Sequence, residues 1–93
     1  MQTVVLYQLP DGHKRIFEPY NKKYFNMRDY EIVYECERLN NYKPDDAFNE
    51  FNNNKPENFG GRSLSTSDVI GIGNNMYYCN PFNWIKLKPS DYE

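Results

Sequence analysis

Cysteine is nearly absent: Cys36 and Cys79 are the two in 93 residues. That excludes the dense disulfide scaffold of a small secreted domain. Histidine is a single residue, His13, and no C-x-x-C pair occurs, so a zinc site lacks its ligands. No metal or other cofactor is expected. No apolar run approaches the roughly 18 residues of a membrane-crossing helix, so membrane insertion is not expected. Met1–Leu9 has neither a basic n-region nor a small-residue cleavage pattern, which argues against a signal peptide and for the cytoplasm. An excess of one charge is also missing: 11 Lys and Arg against 13 Asp and Glu give −2. A chain so balanced has no electrostatic drive toward nucleic acid or anionic lipid. The length excludes a two-domain enzyme or a TIM barrel, and residues 1–93 read as one small domain.

What the chain does have is aromatic surface. The hydrophobic fraction is 39%, but nine Tyr, six Phe and one Trp carry much of it. Each large aromatic buries roughly 150–250 Å², enough for a core that the aliphatics alone could not build. The chain is therefore read as folded. Asparagine is abundant, with Asn52, Asn53 and Asn54 consecutive. With the many Lys and Tyr codons this suggests AT-rich coding, as in low-GC bacteria and their phages.

Thr3–Leu9 reads as a strand, with Val5, Tyr7 and Leu9 on one face. Pro10-Asp11-Gly12 is a turn. His13–Asn26 shows no period, but Phe17, Tyr20, Tyr24 and Phe25 suit irregular chain or a short helix packed on the core. Asp29–Leu39 is a strand in which Tyr30, Ile32, Tyr34 and Cys36 alternate with Glu31, Val33, Glu35 and Glu37. Pro44–Asn52 is the one expected helix. Pro44 suits its first position, Asp45 and Asp46 suit its positive end, and Ala47, Phe48 and Phe51 form its apolar stripe. The rest reads as strands at Asp68–Gly73, Met76–Cys79 and Trp84–Lys88, with turns at Gly73-Asn74-Asn75 and Asn80–Asn83, and a polar tail at Pro89–Glu93. The pattern predicts an α+β domain: a small, mainly antiparallel sheet, one short helix on one face, and a C-terminal β-meander.

Catalytic chemistry finds little support. His13 sits in a basic turn beside Lys14 and Arg15 with no nucleophile or orienting partner in its local sequence. Cys36 and Cys79 are expected as reduced, buried strand residues. Gly60-Gly61-Arg62-Ser63 lacks the second glycine, lysine and following helix of a phosphate loop. The acidic residues Glu31, Glu35, Glu37, Asp45, Asp46, Glu50 and Glu57 invite comparison with a DNA-mimicking face, but interspersed Lys and Arg favour an ordinary solvated surface. One segment stands out. A diglycine, then Arg62, Ser63, Ser65, Ser67 and Asp68, leads into a Val-Ile strand. These five residues are the candidate binding site, with Arg62 as an exposed cation. The competing reading is that the hydroxyls only satisfy backbone groups.

The run Phe51-Asn52, Pro56, Phe59, Gly61-Arg62-Ser63-Leu64-Ser65-Thr66-Ser67-Asp68-Val69-Ile70, then Tyr77-Tyr78-Cys79-Asn80, resembles the YodL-like domain family. So does Tyr30-Glu31-Ile32-Val33-Tyr34, which resembles its Y-x-x-V-Y strand. Thr66 departs from a common Val, and Asn83-Trp84 from a Gly-Phe pair. The resemblance implies a domain of low-GC bacteria, their conjugative elements and phages, with roles centred on antagonising host proteins such as the actin-like cytoskeleton. It brings no established catalytic residues. The expected function is a non-enzymatic protein-binding module, a mobile-element or phage accessory protein that modulates or inhibits a host protein. The alternative is an anti-defence protein, antirestriction or anti-CRISPR, acting on a nuclease or its nucleic acid.

Overall fold

The β-branched and apolar N-terminal run forms β1, Gln2–Gln8. The structure is a computed structural model and describes residues 1–92. Glu31–Arg38 is β2 and Pro44–Asn53 is α1. Val69–Ile72, Asn75–Cys79 and Trp84–Leu87 are β3, β4 and β5, and Pro89–Tyr92 is a short helix, α2. The sheet order is β2-β1-β3-β4-β5, and every neighbouring pair is antiparallel. The path β2–α1–β3 therefore steps over β1, and β3–β4–β5 is the expected meander. This is the α+β architecture the sequence predicts, with α1 on one face.

Both faces of the sheet are covered. On the first, Val4, Leu6, Ile70, Ile72 and Cys79 pack with Ala47 and Phe51 of α1 and with Leu64. On the second, Val69, Tyr78 and Leu87 pack beneath Tyr20, Phe25, Met27 and Tyr30 of the segment preceding β2. Tyr20 and Phe25 meet Tyr78 edge-on, with centroids 5.1 and 5.8 Å away. The irregular stretch thus does the work of a second covering layer. It does so with rings, which bury more area per residue than aliphatics.

Two-sided burial explains where the strand faces differ from expectation. In β1 the fully buried set is Val4, Leu6 and Gln8, while Val5 and Tyr7, on the opposite face, are partly exposed. In β2 the alternation breaks. Leu6 pairs with Tyr34 and Tyr7 with Ile32, leaving Val33 as an extra residue. Such a bulge turns the strand's faces over. Val33 then joins the core and Ile32 is left 61% exposed. Cys79 is buried as expected, whereas Cys36 is half-buried on edge strand β2.

α1 starts as predicted, and Asp46 accepts the Lys43 backbone N–H at 2.9 Å. Its buried residues are Ala47 and Phe51; Phe48 points away from the core and is 45% exposed. The helix is tied to β2 by Arg38, whose guanidinium grips both carboxylate oxygens of Glu50, and to the intervening loop by Tyr42, whose hydroxyl donates to Glu50 at 2.7 Å. The Arg38 hydrogen bond, against burial, holds the Glu50 carboxyl below its usual range. Pro89–Tyr92, expected as a tail, is helical: Asp91 accepts the Lys88 N–H at 2.8 Å, a cap on a proline-started turn. Glu93, the end of that expected tail, lies outside the described residues.

Candidate functional site

The register brings one end of the sheet together. Gln8 at the end of β1 pairs with Glu31 at the start of β2, Tyr7 with Val69, and Cys79 at the end of β4 with Trp84. The loops leaving this end include residues 9–30, 60–68 and 80–83. The candidate segment is the middle one.

Gln8, 2% exposed, holds that segment in place. Its Nε2 donates to the Arg62 carbonyl at 2.8 Å and to Asp68 Oδ2 at 3.0 Å, and its Oε1 accepts the Arg62 N–H at 3.0 Å. Asp68 Oδ2 also accepts the Ser65 N–H at 2.9 Å. Gly61 fits because a Cβ there would come within 2.8 Å of Gln8 Oε1. The diglycine is therefore a close-packed approach at Gly61. Arg62, expected as a free cation, donates from Nη1 to Asp11 Oδ1 at 2.6 Å and from Nη2 to the Leu9 carbonyl at 2.8 Å. It closes the loop after β1.

Ser67 is buried and takes a left-handed φ of 86°. Its N–H donates to the Cys79 carbonyl at 2.9 Å, and its carbonyl accepts the Tyr30 hydroxyl at 2.6 Å. Its Oγ accepts the Phe17 N–H at 3.1 Å. Asp68 is 1% exposed, and burial raises its carboxyl to about 6 against the hydrogen bonds from Ser65 and Gln8 and the charge of Arg62. Burial, then Asp68, pushes the Cys79 thiol up to about 12. Ser67 and Asp68 are thus withdrawn from any partner, Ser65 is partly buried, and Ser63 faces solvent. Among the described residues none of the three serines hydrogen-bonds to His13. That imidazole instead accepts the Arg15 N–H at 3.1 Å and stands 3.9 Å from Asp29.

Sequence reasoning missed the exposed aromatic residues Phe17 and Phe82. Phe17, expected in the core, is 62% exposed and takes φ 71°. A bulky side chain in the left-handed region is a genuine outlier. The Phe17 backbone lies in a turn closed by the Glu18 N–H on the Arg15 carbonyl at 3.1 Å, and its own N–H donates to Ser67. Beyond Cys79 lies an open groove of about 370 Å³ between α1 and the β4–β5 turn, lined by Phe48, Pro81, Phe82, Trp84 and Asp45 among others. Phe82 is fully exposed, and the Trp84 indole N–H donates to Asp45 Oδ1 at 3.1 Å. Asn80, which also lines the groove, accepts the Tyr20 N–H at 2.8 Å, joining groove and Phe17 loop. The available signal was Phe82 itself, an aromatic within a Pro-Phe-Asn turn.

A family model described as YodL-like domain matches residues 3–89. No curated protein and no solved structure matches the chain.

Proposed function

The chain belongs to the YodL-like domain family, and from that premise we propose that it is a non-enzymatic protein-binding module that binds through the loop end of its sheet. It acts in the cytoplasm as a mobile-element or phage accessory protein, modulating or inhibiting a host protein. The observation that carries this is Phe17. A left-handed backbone on a bulky residue costs of order 1–3 kcal/mol and persists where the surroundings over-determine it. Here the buried Ser67 accepts the Phe17 backbone N–H and a turn closes from Arg15 to Glu18, yet the ring faces water. Phe82, in the turn between β4 and β5, is also fully exposed. Interfaces concentrate their energy in a few aromatic anchors, and two displayed phenylalanines fit that use. The net charge of −2 favours a protein partner over nucleic acid.

The test is affinity capture from a low-GC bacterial lysate with mass spectrometry, using the wild type and a Phe17→Gly, Phe82→Ala double variant. One protein enriched by the wild type and lost with the variant is expected. Equal capture by both, or no specific capture, contradicts the reading. A captured nuclease would turn it toward the anti-defence role.

A further inference from the structure

The groove between α1 and the β4–β5 turn has a composition that selects its occupant. It presents the rings of Phe48, Phe82 and Trp84, and among the described residues Asp45 is the one charged residue lining it. The indole N–H is already committed to Asp45 Oδ1. The other carboxylate oxygen of Asp45 makes no hydrogen bond or ion pair among the described residues. An anion entering here meets both a carboxylate and the negative faces of aromatic rings. A neutral aliphatic group leaves the second carboxylate oxygen of Asp45 without a partner while taking water from it. A cation satisfies both features at once, lying against the rings and pairing with the free oxygen.

A planar guanidinium does this better than an ammonium, because it stacks and donates in a fixed fork. The chain already uses this pairing elsewhere: Arg15 lies 4.3 Å from the Tyr24 ring centroid. The cavity of about 370 Å³ is within the range of specific ligand sites. We infer that the groove receives an arginine side chain of the partner protein, an inference that rests on the protein-binding reading of this end of the sheet.

Trp84 is the chain's single tryptophan, so its indole N–H reports on the groove alone. The experiment titrates the ¹⁵N-labelled full chain with N-acetylarginine N-methylamide at millimolar concentration, and separately with the neutral citrulline analogue. The expected result is a saturable shift of the indole resonance with the arginine probe and none with citrulline. Asp45→Asn and Phe82→Ala, with otherwise unchanged spectra, should each weaken the probe by about fivefold, the scale of one exposed ion pair or cation–π contact. Equal response to both probes, no saturable shift, or full affinity in both variants overturns the assignment. The probe needs no partner protein, so its failure removes the groove assignment and leaves the capture experiment to judge the module itself.

Discussion

Replacing Asp68 by Asn should make the protein more stable at neutral pH and leave it little changed in acid. The carboxyl is buried, accepts from Gln8 and Ser65 through Oδ2, and has its titration raised from 3.8 to about 6. Burial therefore outweighs the hydrogen bonds and the nearby Arg62 charge. The folded state binds this proton more tightly than the unfolded chain does. The stability it contributes is full below pH 3.8 and is lost as pH rises through about 6. Each tenfold change is worth about 1.4 kcal/mol, so the ionised group costs the fold up to about 3 kcal/mol near pH 7.5. Asparagine keeps an oxygen for Ser65 and Gln8 and removes the charge. Urea unfolding of both proteins between pH 4 and pH 8 separates the effect from Glu50, whose lowered carboxyl acts in the opposite sense in both. The expected difference grows with pH toward about 3 kcal/mol in favour of Asp68→Asn. Parallel curves, offset equally at every pH, would refute the argument.

Phe51→Ala removes the fully buried anchor of α1 and should cost about 3–5 kcal/mol, much of a small domain's stability, whereas Phe48→Ala should cost less than about 1 kcal/mol. Thermal melts of the two variants read this directly, and similar midpoints would contradict it. Arg62→Ala loses the Leu9 carbonyl bond and an ion pair with a fully solvated aspartate. A destabilisation of about 1 kcal/mol in urea is expected, nearly all from the carbonyl bond. Thiol labelling without denaturant should modify half-buried Cys36 well before Cys79, whose thiol is buried and hard to ionise; equal rates would contradict the packing described.

The strand positions, the helix start and the meander were legible because each is written in neighbouring residues. Gly73 takes φ 59° in the two-residue turn that its sequence announces. The faces were harder. A sheet covered on both sides carries apolar residues at successive positions, so β1 offers two readings, and buried Gln8 hides the correct one. The Val33 bulge has no local signal. The hydrogen bonds of the candidate segment run to Gln8, Leu9, Asp11, Phe17 and Cys79, all distant in sequence. Local pattern marks Arg62 and Ser67 by residue type alone, while their long-range partners tie Arg62 to the loop after β1 and Ser67 to Phe17, Tyr30 and Cys79. Phe17 was read as core because an aromatic usually is; instead it sits in a turn, with its N–H bonded to Ser67 and its ring exposed.

The central claim is that Phe17 is held out for a partner at the expense of the fold. Phe17→Gly tests it most directly, because glycine accepts φ 71° freely. Relief of about 1–2 kcal/mol of left-handed strain offsets the roughly 0.5–1 kcal/mol that glycine's flexibility costs, so stability should be equal or slightly higher. Loss of an aromatic anchor should weaken the partner by about 2 kcal/mol or more, near thirtyfold. Calorimetric titration of the captured host protein with both chains, beside their urea curves, gives both quantities. Retained stability with a thirtyfold weaker complex is the predicted result. Unchanged affinity in a folded Phe17→Gly chain would contradict the account.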